Sequence, residues 1–314
     1  MNFLVVGLGA IGTVFSTFLK DAGHKVYAFV KPYQYELLKN KPLKVSGIFG
    51  EKTALPDQLI YEASMLSSYQ IDYVLITVKS FDTERVIKDI HSFIWPDALF
   101  ISAQNGYGNF ETIAKHVSES RSLLARIIFG SRLINLGEAE VTVIADDVRI
   151  GSPNNVIPKE NIVKVINIIN SSGIPTSYAD HIEAVLWDKI LYNCALNPLG
   201  AVLECNYGTL ASNDYTKNIM NQVIDEIFAT AKENNITLNW KNADEYKAHF
   251  YSKLVPPTRD HFPSMYYDIK AGKKTEIMAL NGAIVSLAKQ REISAPVNET
   301  ITNLILAKEN IKDR

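Results

Sequence analysis

The sequence predicts an α/β protein, with an N-terminal Rossmann-type doubly wound parallel sheet and a second, all-α C-terminal domain. Three observations carry that expectation. Short β-rich runs alternate with helical patterns through the first half, as βαβ units require. A glycine-rich turn separates the first run from the first helix. Beyond about residue 178 the alternation stops and helical patterning takes over.

In chain order, strands are expected at residues 3–6, 25–30, 73–78 and 99–103. Between the first two, residues 10–22 carry helical periodicity and stop at Gly23, a residue suited to the left-handed position after a helix. A β-rich stretch at 141–150 and a helix at 160–170 complete this half. The boundary near 178 divides a dinucleotide-binding domain, 1–178, from a helical substrate and catalytic domain, 179–314. Asp180 followed by Glu183 resembles a capping box, and the helix it opens is expected to run through Lys189 toward Asn197 and Pro198, because a residue before proline disfavours helical backbone. Further helices are expected at 214–234, 264–271, 275–290 and 298–311, punctuated by Pro256-Pro257 and Ala295-Pro296.

Composition narrows the classes of function. With 314 residues, 47% hydrophobic and 21% charged, the chain can build ordinary cores in two domains. A net charge of -2 without a dense basic run argues against nucleic acid, whose phosphates call for a basic stripe. Residues 3–19 are uncharged but contain Gly7, Gly9 and Gly12 and end at Lys20, short of the roughly 20 apolar residues of a membrane span. The two cysteines, Cys194 and Cys205, lie in apolar surroundings, which fits a reducing compartment and a cytoplasmic location. No metal site is expected, and the chain is expected to be a monomer or homodimer, between which the absence of a heptad repeat does not decide.

The turn Gly7-Leu8-Gly9-Ala10-Ile11-Gly12 follows directly on a strand and opens a helix. The first glycine permits the tight turn, the second lets a pyrophosphate approach the backbone, and the third lets helix and strand pack closely. The pyrophosphate then meets free amides at a helix N-terminus. At the end of the second strand an acidic residue would bind the ribose hydroxyls of NAD; this chain has Lys31, a cation that favours the 2′-phosphate of NADP(H), or else a solvated surface lysine. Two later strand ends carry Lys79 and Asn105, at the sheet edge where doubly wound folds bind ligands. Asn105-Gly106 can equally be a plain turn.

Lys189, Asn193 and Asn197 differ by four, so on a helix they form one stripe among apolar neighbours. Asparagine is a mediocre helix former, and a merely solvated face more often carries Lys and Glu, so the stripe points to a shared polar ligand. Ser264 and Glu276 form a second candidate pair, although each also fits an ordinary helix start.

Together, Gly7 to Gly12, Gln104-Asn-Gly106, Leu186-Trp-Asp-Lys-Ile-Leu-Tyr-Asn-Cys-Ala-Leu-Asn-Pro198, Ser264-Met265 and Thr275-Glu-Ile277 with Asn281-Gly282 resemble the ketopantoate reductase (2-dehydropantoate 2-reductase) family over essentially the whole chain. The resemblance implies NADPH-dependent reduction of 2-dehydropantoate to (R)-pantoate, a step toward pantothenate and coenzyme A. It implies Lys189 as general acid with Glu276 supporting catalysis, Asn193, Asn197, Ser264 and Asn105 as substrate ligands, and Lys31 at the 2′-phosphate. Lys79 and Asn105 would lie at the nicotinamide end, with Glu276 also near the cofactor. His261 and Met278 stand where the family usually has asparagine and aspartate, and Lys31 where arginine is common. Those departures leave open a relative that reduces another 2-keto or 3-hydroxy acid. A dinucleotide-sensing protein without turnover is a further alternative, one that would tolerate loss of Lys189 and Glu276.

Overall fold

The structure is a computed structural model that describes residues 1–311. The chain divides into two compact units: Met1–Asn105 with Asn109–Ile182, and Gly106–Gly108 with the chain from Glu183 onward.

The first unit contains, in order, β1 (Asn2–Val6), α1 (Ala10–Asp21), β2 (Lys25–Phe29), α2 (Pro32–Leu38), β3 (Leu43–Gly47), β4 (Lys52–Ala54), β5 (Gln58–Ile60), β6 (Tyr73–Ile76), α3 (Thr83–Ile90), β7 (Leu99–Ser102), α4 (Asn109–Val117), β8 (Ser122–Arg126), β9 (Phe129–Asn135), β10 (Glu138–Ile144), β11 (Val148–Gly151), α5 (Lys159–Ser171) and β12 (Thr176–Tyr178). Eight strands form one sheet in the order β12-β11-β8-β7-β6-β1-β2-β5, parallel except where β11 meets β8. The chain winds from β1 to β2 on one side and to β6 on the other, so the carboxyl end of β1 is the topological switch point where such sheets bind ligands. Buried aliphatic and aromatic side chains cover both faces: Phe15, Phe18 and Leu19 of α1 on one, Val86, Ile87 and Ile90 of α3 on the other. A smaller sheet, β4-β3-β10-β9, shares the α1 core through Phe49, which meets Phe18 and Phe129 at centroid distances of 5.9 and 5.1 Å.

The second unit is helical: α6 (Ile182–Leu203), α7 (Tyr207–Ser212), α8 (Asp214–Glu233), α9 (Ala243–His249), α10 (Ser264–Lys270), α11 (Asn281–Gln290) and α12 (Pro296–Asn310). The observed α6 corrects the expectation that its helix ends at Pro198: it continues to Leu203 with the proline inside. Proline at 198 has no N–H to give the carbonyl four residues back, that of Cys194. The Asn281 side chain replaces the missing donor, its Nδ2 lying 3.1 Å from the Cys194 oxygen. The same amide donates to Asn298 Oδ1 at 3.0 Å, and Asn298 in turn donates to Glu226 Oε2 at 2.7 Å. The Glu226 carboxylate also accepts the Val297 and Asn298 amides, satisfying free donors in the first turn of α12. A buried polar knot thus ties α6, α8, α11 and α12 together. The helix expected from 275 begins only at Asn281, after a short 3₁₀ turn, Ile277–Ala279. Among the described residues no helix is long and apolar enough to cross a membrane.

Candidate active site

The glycine turn sits at the switch point. Gly7 has φ +96 and its amide donates to the Phe29 carbonyl at 2.9 Å, closing the turn; a Cβ there would lie 2.7 Å from Val78. A Cβ at Gly12 would fall 1.9 Å from the Gly7 oxygen, so helix and strand approach closely only because it is absent. Leu8 is fully buried beneath the turn, and Thr77 locks it from the side by donating to the Gly7 carbonyl at 2.7 Å. Gly9 differs: nothing lies within 4 Å of the position its Cβ would take. Gly9 caps α1 without a side-chain hydrogen bond, and no acidic residue occupies the first turn, where Ala10, Ile11 and Gly12 follow. An open backbone approach and uncapped helix amides fit a dinucleotide pyrophosphate.

Lys31 caps α2 just beyond β2, with its side chain 54% exposed, and its Nζ lies 3.4 Å from Asp82 Oδ2. Asp82 also accepts from Arg85 at 2.7 Å. Burial pushes the Asp82 carboxyl up, but the Arg85 hydrogen bond and Lys31 pull it further down, below the ordinary aspartate value. Lys79 is half-buried at the start of the turn after β6, and Asn105 is half-buried after β7. A run of side-chain hydrogen bonds that spacing does not reveal braces these two loops. Gln104 Nε2 donates to the Val78 carbonyl (2.8 Å) and Thr83 Oγ1 (2.7 Å); Thr83 donates to Asn109 (2.9 Å), whose amide holds the Asn105 carbonyl (2.9 Å). A glutamine next to the expected Asn-Gly pair is the one available sign of it.

In the second unit, Lys189, Asn193 and Asn197 lie on successive turns of α6, the lysine half-buried, Asn193 9% and Asn197 7% exposed. Asn197 Oδ1 accepts a 2.7 Å hydrogen bond from the Tyr207 hydroxyl. Burial, reinforced by Tyr192, raises the Tyr207 pKa well above its ordinary value, so the phenol remains a donor. The bond therefore fixes the asparagine amide with Nδ2 as its remaining donor. Tyr207 is not a candidate from sequence; an aromatic residue ten positions after Asn197 carries no recognisable pattern. The His261 ring lies tilted against Tyr207, with centroids 5.3 Å apart, and desolvation lowers its pKa. Glu276 is 9% exposed, in a segment pinned to α12 by Thr275, whose amide donates to Glu309 Oε1 at 2.8 Å. Met278 is 55% exposed. Ser264 is exposed at the first position of α10; Pro263, not Ser264, occupies the capping position. Within this unit, Gly106 has φ +85, the Tyr107 amide donates to the Ala279 carbonyl at 2.8 Å, and the Tyr107 ring lies 5.5 Å from Trp187.

Comparison with known proteins bears on both units. Residues 3–155 match the family model described as ketopantoate reductase PanE/ApbA, and residues 181–309 match its C-terminal model. A 2-dehydropantoate 2-reductase of Aquifex aeolicus is 45% identical over 100% of this chain and 99% of its own length. The enzyme of the same name from Pyrococcus abyssi is 26% identical over 100% of both chains. Among solved structures, a PanE/ApbA family ketopantoate reductase from Ralstonia eutropha JMP134 superposes with a TM-score of 0.87 at 24% identity, covering 99% of each chain. D-mandelate dehydrogenase with NADH and anilino(oxo)acetate reaches the same TM-score of 0.87 at 24% identity, over 99% of this chain and 100% of its own, and shares the fold.

Proposed function

The chain belongs to the ketopantoate reductase family, and from that premise we propose that it reduces 2-dehydropantoate to (R)-pantoate with NADPH, and that the α6 stripe carries the chemistry. The observation that supports this best is the full-length relationship to the Aquifex aeolicus reductase, together with three polar side chains aligned at four-residue spacing on one helix.

The cofactor, when bound, supplies hydride to the keto carbon. Gly7, Gly9 and the amides of Ala10, Ile11 and Gly12 hold the pyrophosphate, Leu8 supports the turn from the core, and Lys31 meets the 2′-phosphate. Lys79 and Asn105 serve the nicotinamide end. As hydride arrives, negative charge develops on the keto oxygen, and the Lys189 ammonium delivers a proton there. Asn193 and Asn197 donate amide N–H groups that orient the keto acid and stabilise the developing charge, each worth a few kcal/mol when well placed. For Asn197 the Tyr207 bond already sets the amide in donor orientation. Ser264 offers a hydroxyl to the substrate carboxylate, and Glu276 holds a substrate hydroxyl or the lysine while flanking the cofactor.

The test is the decay of NADPH absorbance with ketopantoate for the wild type and Lys189→Ala. Turnover that disappears in the variant, while NADPH still binds, is the expected result. Turnover unaffected by the substitution would remove Lys189 from the mechanism. A wild type that binds NADPH yet ignores ketopantoate would overturn the substrate assignment.

A further inference from the structure

We propose that Asp82 is a cofactor-selectivity determinant: a resident counter-ion that occupies the cations of the 2′-phosphate site, Lys31 and Arg85, and tempers the preference for NADPH over NADH. The inference rests on the dinucleotide reading of the first unit and adds to it two residues, Asp82 and Arg85, that the glycine turn and Lys31 do not imply.

The placement follows from the sheet. β2 and β6 flank β1, so Lys31, just past β2, and Asp82, in the turn between β6 and α3, stand on either side of the strand that carries the glycine turn. Their charged groups nevertheless meet at 3.4 Å, over the carboxyl edge where the adenosine half of a dinucleotide lies. Arg85, one turn into α3, reaches the same carboxylate at 2.7 Å. Two cations therefore share the Asp82 carboxylate, and Arg85 also lies 3.8 Å from Asp89 Oδ2, so the four groups carry no net charge where a 2′-phosphate brings about two negative ones. The Lys31 and Arg85 side chains are 54% and 55% exposed and so accessible to a phosphate from solvent, whereas Asp82 is 18% exposed in the turn. A 2′-phosphate must compete with this carboxylate for both cations and lie near its charge. The 2′-hydroxyl of NADH meets no such repulsion.

The experiment titrates NADPH and NADH, and the fragments 2′,5′-ADP and 5′-AMP, into the full chain by calorimetry, for the wild type, Asp82→Asn and Arg85→Gln. Asp82→Asn removes a charge a few ångströms from the phosphate and is expected to lower the Kd for NADPH and 2′,5′-ADP by about tenfold, leaving NADH and 5′-AMP within about twofold. Arg85→Gln is expected to raise the Kd of the phosphorylated pair by about tenfold, again selectively. The gain in Asp82→Asn should shrink as salt rises, because the site is solvent-accessible. If Asp82→Asn leaves NADPH binding unchanged, weakens it, or shifts NADH equally, the counter-ion role is wrong while the reductase reading stands. If the wild type binds none of the four nucleotides, the dinucleotide reading itself falls and this inference with it.

Discussion

The replacement of a lost helix hydrogen bond by Asn281 can be measured directly. Asn281→Ala deprives two buried acceptors of their donor, the Cys194 carbonyl at 3.1 Å and Asn298 Oδ1 at 3.0 Å. Each orphaned buried group costs about 1–3 kcal/mol. Against this, Asn281 Oδ1 is itself buried without a partner among the described residues, and removing it returns a cost of the same order. The net destabilisation is then about 1–3 kcal/mol. A second substitution isolates the cause. Pro198→Ala restores an N–H in register with the Cys194 carbonyl, so in that background Asn281→Ala should cost less, by about 1–2 kcal/mol of coupling. The assay is urea unfolding followed by tryptophan fluorescence in a Trp95→Phe background, leaving Trp187 and Trp240, both in the helical unit, as reporters. That choice matters because a chain of two compact units need not unfold in one step. Equal costs of Asn281→Ala with and without the Pro198→Ala substitution, within about 0.5 kcal/mol, would refute the reasoning.

Three further outcomes are expected. Gly9→Ala adds a methyl to open space, so its thermal midpoint should stay near wild type while NADPH affinity falls at least about tenfold; Gly12→Ala, with its Cβ 1.9 Å from the Gly7 oxygen, should lose both, as a thermal melt and a binding titration will show. Tyr207→Phe frees the Asn197 amide to rotate, and the expected signature in steady-state kinetics is a loss in kcat/KM of about 5–100-fold, with NADPH affinity unchanged. Acid sensitivity should arise in part from Asp57: burial raises its carboxyl, but Lys20 and the Val26 amide draw it below the ordinary value. Its contribution is complete above the unfolded value of about 3.9 and is lost as pH falls through the lower folded value, so the midpoint of Asp57→Asn should fall less steeply below about pH 4 than that of the wild type.

The parts of this protein legible from sequence are those where local rules and global fold agree. The glycine turn, Gly23 at φ +87 and the alternation of the first half all state the same parallel architecture, and the strands flanking the switch point begin and end within two residues of expectation. The segment Ser122-Leu-Leu-Ala-Arg126 escapes a sequence reading because all five residues are buried, the polar Ser122 and Arg126 included, so three apolar residues between them show no alternation that separates strand from helix. The hairpin from Phe129 is only half visible, since its outer strand exposes Arg132 to Asn135. The case of Pro198 is instructive in the opposite sense. A strong local rule, that proline and its predecessor end helices, is overridden by one side chain distant in sequence, that of Asn281, which supplies the missing donor. Asn281 is legible as part of a motif, but its task is not, because it depends on a partner in space. The same holds for Tyr207 on Asn197 and for Asp82 between Lys31 and Arg85: residue types announce which chemistry is present, whereas orientation of an amide or neutralisation of a cation is decided by neighbours that spacing cannot reveal. Residues that tune such a site are therefore to be sought among the partners of the recognisable ones.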